Sequence, residues 1–414
     1  MKKEISISAL QVGMFVNAIT KSETNLTVKS QGMIKSQATL DSLVARGILA
    51  VEIDINKSSQ DIQQTYVNTI DHDNESDDLV SASSEISKRV HEVVAKKAVS
   101  FEQQQKDLAI ADRLYTEARE VHVKFIKQLK SGQAPDFDAL NNLSQEIIDN
   151  VFDNPDALAC LIMLKESNDY LVEHSLNCSI LLSIFAKHLD LPHAEIEDLT
   201  VAGLLMDCGM ALLPKELNQR TDSFDDTDIA LMRTHVDIGI EIAERFSDVP
   251  PIVLDIIANH HERIDGSGYP RKLEQANIHQ YVQMAAIVDC YDAMLTDRPF
   301  KSSQAAQQAL EDLQKDSRHD VNLVNEFIKA VGLFPVGCLV QLKSGKLGIV
   351  VQRNRKDPLK PTVMTFYSTR GKHHTEVKRV DLQKQSNERI VSSVTPEEFD
   401  INLPHFFRNA LLPF

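Results

Sequence analysis

The sequence predicts a multidomain α+β protein, with a central all-α helical bundle between a small N-terminal α+β domain and a small C-terminal β unit. Three observations carry that prediction. Segments such as YLVEHSLNCSILLSIFAKHL, EIEDLTVAGLLMDCGM and PIVLDIIANHHE follow one another over 138–332 with apolar residues at helical spacing, joined by short connectors that carry Pro, Gly or Asp. Residues 1–56 place β-branched runs on either side of one helically spaced stretch, SQATLDSLVARG, which stops at a glycine. After Pro335 the apolar period shortens to that of strands.

Taken in order, 1–56 reads as the N-terminal α+β domain. Residues 57–83 are polar and acidic, a composition that cannot bury a core and reads as a flexible linker. From Ser84 to Lys130 the chain is rich in Ala, Glu, Lys, Gln and Val and lacks proline, so 84–137 reads as a long helical connector, broken at SGQAPDF. The bundle occupies 138–332. In the extension, 333–414, CLVQLKSGKLGIVVQR has a Ser-Gly turn between two alternating runs and predicts a hairpin. PTVMTFYS and TEVKRVDL add strands, and the remainder reads as a loose tail.

At 414 residues the chain is too long for one core, so two or three domains are expected. A net charge of -16 argues against general DNA or RNA binding and against anionic membranes, while leaving room for a small phosphate ligand in a local cationic pocket. The five cysteines, Cys160, Cys178, Cys208, Cys290 and Cys338, are scattered and form no CxxC, which fits buried reduced thiols rather than disulfides or a zinc finger. No stretch reaches the ~18 apolar residues of a membrane helix, and MKKEISIS lacks a secretory apolar segment. The compartment expected on these grounds is the cytoplasm.

The opening clue to chemistry is LLMDCGMALLP, residues 204–214, where Asp207 stands alone among apolar residues. A carboxylate buried unpaired costs several kcal/mol or shifts its pKa until it neutralises. Five more ligand-type residues sit in or at the ends of apolar helices: His174, His235, His260, His261 and Asp289. Any one alone is more often a satisfied core group than a ligand. Six on five separate segments facing one core are met together by a divalent metal, and imidazole and carboxylate suit Fe, Mn or Zn. Adjacent histidines point ~100° apart on a helix, so His260 and His261 can serve one cluster only near a helix end. The following Asp265, Gly266, Ser267 and Gly268 supply that end, and Tyr269 and Pro270 stiffen the loop. The glycines alone would read as a helix cap. The His-His pair followed by DGSGYP is far rarer than a cap.

These motifs resemble the HD-GYP family, the cyclic dinucleotide phosphodiesterases within the wider HD hydrolases, over about 150–330. His174 in VEHSLN stands at the family's first histidine, MDCGM at its HD-x-G-K box, His235 in THVDIG at the next ligand. HHERIDGSGYP stands at the HHE…DGxGYP signature and IVDCYDAMLTDRPFK at the late aspartate segment. LQVGMFV and GLFPVGCLVQLKSGKLGIVV also resemble domains that precede and follow HD-GYP. The resemblance implies one or two divalent ions, Fe or Mn, with Asp207 bridging, His174 and Asp289 on one metal, and His235, His260 and His261 on the other. Asp207 and His235 are the residues placed nearest the reaction. It also implies that Arg298 and Lys301 bind the ligand's phosphates, and two cations after a proline-stiffened turn fit such a clamp, although a solvated helix start has the same composition.

This chain departs from the box at two positions, with Met206 for the histidine and Met210 for the lysine. Thioether does not replace imidazole on Fe or Mn. Loss of one charge contact to a transition state costs ~3 kcal/mol, about a hundredfold in rate. The implied function is metal-dependent hydrolysis of cyclic di-GMP or a related cyclic dinucleotide, with reduced activity. The alternative is a catalytically inactive HD-GYP signalling module that binds nucleotide, metal or a protein partner. A hydrolase acting on another phosphorylated substrate is disfavoured by the DGSGYP loop. Implied partners are the cyclic dinucleotide and other cyclic di-GMP signalling proteins; long helices ahead of a signalling domain also fit a homodimer. Cys208 and Cys290 neighbour ligand positions, but packing is their ordinary role.

Overall fold

The computed structural model describes residues 2–7, 10–22, 32–34, 39–40, 48–59, 101–163, 169–218, 224–246, 248–297, 302–354 and 356–411. The chain divides into two compact units, Met1–Ala98 and Val99–Phe414.

The smaller unit holds four antiparallel strands, β1 (Lys2–Ser6), β2 (Phe15–Ser22), β3 (Gly32–Met33) and β4 (Ile48–Asp54), in the order β1-β4-β2-β3. Alternation along β4 turns Val51 and Ile53 to one face, where both are fully buried with Ile5, Val16 and Ile34. The helix expected over SQATLDSLVARG falls largely outside the described residues, as do 60–100, which include most of the expected linker and the start of the connector.

The larger unit begins with α1 (Phe101–Lys130), followed by α2 (Phe137–Asp153), α3 (Pro155–Ile162), α4 (Tyr170–His188) and α5 (His193–Leu205). A 3-10 turn (Cys208–Leu212) leads to α6 (Lys215–Asn218), α7 (Asp226–Arg233), α8 (His235–Ala243) and α9 (Pro251–Asn259). The bundle is completed by α10 (Gln280–Leu295), α11 (Ala306–Lys315) and α12 (Val321–Val331). SGQAPDF does end a helix: Asp136 accepts the amide of Ala139 at 3.1 Å and restarts the chain as α2. Helix α4 is buried on nearly every side from Val172 to Ala186, as expected of an apolar helix at the centre of a bundle. It meets α5 backbone to backbone. A Cβ on Gly203 would lie 2.5 Å from Ser179 Cα, so only glycine fits. The hydroxyls along this contact are satisfied within it: Ser179 donates to the Thr200 carbonyl at 2.8 Å, and Ser183 and Thr200 share a bond at 2.7 Å.

Beyond α12 lies a five-stranded antiparallel sheet, β5 (Leu339–Leu342), β6 (Lys346–Gln352), β7 (Thr362–Ser368), β8 (His373–Asp381) and β9 (Ile390–Ser393), ordered β8-β7-β6-β5-β9. The Ser-Gly hairpin forms as the sequence predicts, with Gly345 at φ 81°. The tail is not loose: β9 pairs with β5, and α13 (Leu403–Leu411) buries Leu403 and Phe407 while Phe406 stacks on Phe366 at 3.9 Å. Arg353 joins this sheet to the bundle through an ion pair with Asp156 at 2.5 Å and a hydrogen bond to the Ala330 carbonyl. No helix among the described residues is long and apolar enough to cross a membrane.

Candidate metal centre

Five segments deliver six ligand-type side chains to one place. His174 lies one turn into α4, Asp207 in the turn between α5 and the 3-10 segment, and His235 at the first residue of α8. His260 caps α9 and His261 follows it, so the helix end lets the adjacent rings turn to a common point. Asp289 projects from the middle of α10. Asp207 is central: its carboxylate lies 3.2 Å from His174 Nε2, 3.4 Å from His235 Nε2 and 3.8 Å from His260 Nε2. Asp289 reaches His174 Nε2 at 3.1 Å and His261 Nδ1 at 3.6 Å. Ligand atoms of Asp207, His235, His260 and His261 lie within 4.8 Å of one another, and so do those of His174, Asp207 and Asp289.

The backbone sets which ring nitrogens face the cluster. His235 Nδ1 lies 2.7 Å from the Met232 carbonyl, and His260 Nδ1 lies 3.1 and 3.0 Å from the carbonyls of Ile256 and Ile257. A nitrogen so placed must carry a proton, so in its neutral form each ring would present an Nε2 lone pair inward. His260 Nε2 is fully buried without a hydrogen-bond partner. An orphaned lone pair beside two carboxylates fits a bound cation, and the donor set of imidazole and carboxylate suits a borderline or hard divalent metal.

The electrostatics agree. Burial works against charge on Asp207, yet the imidazoles of His174 and His260 hold its carboxyl well below the usual range. Burial likewise opposes charge on Asp289, and His174 and His261 hold it low. Burial keeps His235 neutral, and burial together with the nearby His260 does the same for His261. His174 and His260 go the other way: burial opposes their charge, but Cys178, Tyr170, Asp207 and Asp289 around His174, and Asp207 and Asp289 beside His260, raise both above the ordinary histidine value. The centre therefore pairs two anionic carboxylates with two imidazoles that hold a proton and two that do not, and a cation would take the place of those protons.

The loop after His261 folds back over the cluster. Glu262 accepts the amides of Arg271 and Leu273 at 2.6 and 2.9 Å, and Asp265 accepts the amide and hydroxyl of Ser267. Gly266 adopts φ 75°, and a Cβ on Gly268 would lie 2.5 Å from Arg263 N, so both glycines are required by the path. Tyr269, joined to Pro270, stacks on His261 at 4.6 Å, and the Arg233 guanidinium lies 4.6 Å from the centre of the Tyr269 ring. Above the cluster opens a cavity of about 820 Å³, lined also by Tyr170, Met210, Lys215, Arg263 and Arg318.

Comparison with known proteins places this architecture. A family model described as HD domain matches 159–323. One described as a domain of unknown function, DUF3391, matches 2–140, and a KOW domain associated with HD domain matches 339–402. The chain is 31% identical over 401 residues to a cyclic di-GMP phosphodiesterase of Pseudomonas aeruginosa, covering 96% of this chain and 93% of that one. The chain belongs to the HD-GYP family. A 3'3'-cGAMP-specific phosphodiesterase of Vibrio cholerae is 28% identical over 188 residues, 45% of this chain and 34% of that one. A solved structure, the HD-GYP-type protein Bd1817 from Bdellovibrio bacteriovorus, aligns with a TM-score of 0.45 at 15% identity over 79% of this chain and 98% of that one.

Within the HD-GYP domain the Met206–Met210 segment divides between two environments. Met206 is fully buried in the apolar core, whereas Met210 lines the cavity. A Cβ on Gly209, between them, would lie 2.0 Å from the His235 carbonyl, so this glycine lets the box seat directly under α8. Arg298 and Lys301 lie outside the described residues. Cys208 is a core residue; Cys290 is half-buried at the cavity wall, where Arg263 donates to its sulfur at 3.2 Å. Sequence reasoning did not single out Asp292, which accepts His174 Nδ1 at 2.7 Å, or Asn177, which donates to Asp292 at 3.0 Å. Their spacing was a usable signal: each sits three residues after a ligand on the same helix, and hence on the same face.

Proposed function

We propose that this chain is a metal-dependent phosphodiesterase of a cyclic dinucleotide, cyclic di-GMP foremost. The observation that carries the reading is the convergence of six ligand side chains around a buried, partnerless His260 Nε2. The relatives named above act on cyclic di-GMP and on 3'3'-cGAMP. In this reading His174, Asp207 and Asp289 would hold one divalent ion and Asp207, His235, His260 and His261 would hold another; the donors suit Fe, Mn or Zn, and the family resemblance favours Fe or Mn. Bound metal would supply Lewis acidity toward a phosphoryl oxygen and lower the pKa of water.

The chain's own residues do the rest. The ionised Asp207 sits between the two ligand groups and tethers both. Tyr269 stacks on His261 and holds its ring from that side of the cluster. Lys215 and Arg263 line the cavity and would offer positive charge to the ligand's phosphates, while Arg318, also in the wall, is paired with Asp316 at 2.7 Å. At about 820 Å³ the cavity has the size of an ordinary small-molecule site.

Met210 supports a second reading, a non-catalytic module, because it puts a thioether at the cavity wall where the family box has a cation. The deciding experiment measures metal content of the purified chain and follows cyclic di-GMP with Mn²⁺ and with Fe²⁺ under reducing conditions. Bound metal with a linear dinucleotide or mononucleotide product supports the first reading. Nucleotide binding without product supports the second.

A further inference from the structure

A chain of hydrogen bonds runs from α1 to the floor of the metal centre. Tyr115, midway along α1, donates its hydroxyl to Asn177 Oδ1 at 3.0 Å. Asn177 Nδ2 donates to Asp292 Oδ1 at 3.0 Å, and Asp292 Oδ2 accepts His174 Nδ1 at 2.7 Å. Asn177, Asp292 and His174 are all buried, so the two inner bonds of the relay are screened from water, and the outer one, from half-buried Tyr115, is partly so. Burial pushes the Tyr115 phenol far above its ordinary pKa, which keeps the hydroxyl a donor throughout the working range.

Each bond constrains the next. An amide has two orientations, and reversing Asn177 would set its oxygen against a carboxylate oxygen with no proton between them. The phenol at one end and the carboxylate at the other agree on a single orientation. Asp292, held on one oxygen by Asn177, then takes the Nδ1 proton of His174 on the other. That leaves His174 Nε2 aimed at Asp207 and Asp289, 3.2 and 3.1 Å away. Helix α1 is also the element that follows the N-terminal unit in sequence.

We propose that Tyr115 is a positioning residue for His174: acting through Asn177 and Asp292, it fixes the ring's tautomer and aim, and ties both to the seating of α1. The inference rests on the metal-binding reading above. Outer partners of metal-ligating histidines typically govern 10–100-fold in metal affinity; Tyr115 lies further out, and a loss of about tenfold is expected.

The test uses the full chain and Tyr115→Phe, which keeps the ring and removes only the hydroxyl. Two quantities are read: Mn²⁺ affinity by titration, and the histidine ring ¹⁵N signals of the metal-free chain. The expected result is a Mn²⁺ affinity about tenfold weaker with a shifted His174 signal. Arg113→Ala, an exposed position on the same helix, should change neither. Asn177→Ala and the double variant Tyr115→Phe/Asn177→Ala should bind Mn²⁺ equally, because the relay is already cut. An unmoved His174 signal in Tyr115→Phe overturns the proposal, and so do losses that simply add in the double variant, which a merely structural role predicts. If the unaltered chain binds no Mn²⁺, the metal reading fails, and the metal-free ¹⁵N signals still decide the relay.

Discussion

The Nε2 atoms of His235 and His261 face each other at 3.2 Å. His235 spends its ring proton on the Met232 carbonyl, so its Nε2 is bare. Either His261 Nε2 carries a proton into that gap or a cation sits beside both. With His260 Nε2 also lacking a hydrogen-bond partner, loading the site with metal should stabilise the fold. A ligand at a hundred times its Kd adds about 2.7 kcal/mol. Thermal unfolding with Mn²⁺ and after chelation should differ by several degrees, and the difference should vanish in His235→Ala. Equal midpoints with and without metal in the unaltered chain would count against a site here.

Asp207 lies within 4 Å of three of the four imidazoles. Asp207→Asn keeps the shape and removes the charge both ligand groups share. Metal content should fall to one ion per chain or fewer and hydrolysis by at least a hundredfold, an estimate in line with outer and inner ligand losses. Elemental analysis alongside product chromatography reads both. Full metal content in the variant would remove Asp207 from the bridging role.

Gly209 allows the Met206–Met210 segment to sit against α8. In Gly209→Ala the new methyl would meet the His235 carbonyl at 2.0 Å, so α8 must move. Overpacking of this kind costs about 1–3 kcal/mol. Because His235 opens α8, thermal midpoint and Mn²⁺ affinity should fall together. A variant that loses one without the other would break the link between box packing and ligand geometry.

Met206 is surrounded by apolar side chains. In Met206→His/Met210→Lys the new imidazole is unpaired unless it reaches a metal. The double variant should therefore be less stable than the parent after chelation and recover when metal is added. Its hydrolytic rate should rise by about a hundredfold, the worth of one restored charge contact. No gain in rate with a well-folded, metal-loaded variant would show that these two positions do not limit turnover.

His122 is fully buried in α1 against Phe125, and neither ring nitrogen has a hydrogen-bond partner. Burial lowers its pKa from 6.5 to about 4. Between those values the unfolded chain binds the extra proton and the folded chain does not. Stability must then fall as pH drops from about 6.5 to about 4, and the penalty is complete below that, amounting to about 3 kcal/mol. His122→Phe should flatten this part of the stability curve relative to the parent, measured by denaturant unfolding of the metal-free chain. Parallel curves for the two proteins would exclude His122 as the source.

The bundle and the cluster of candidate ligands were legible because the signal was local. A charged or imidazole side chain inside an apolar helix stands out, as Asp207 does between Leu205 and Ala211. Tyr115 gave no such signal, since an aromatic in a mixed helix becomes a hydrogen-bond donor to Asn177 only through tertiary packing. The C-terminal segment was misread for the same reason. IVSS is four residues long, and what makes it a strand is pairing with β5 nearly fifty residues earlier.

Asp156 and Arg353, whose ion pair fastens the sheet to the bundle, lie roughly 200 residues apart in the chain. A growing polypeptide emerging from the ribosome can assemble α2 to α10 well before Arg353 is made. The bundle must then wait, with the surface against α3 uncovered, until the last strands arrive. Translation that stalls or ends near residue 335 would release a nearly whole helical body lacking its clasp, a species for chaperones and proteases rather than for signalling.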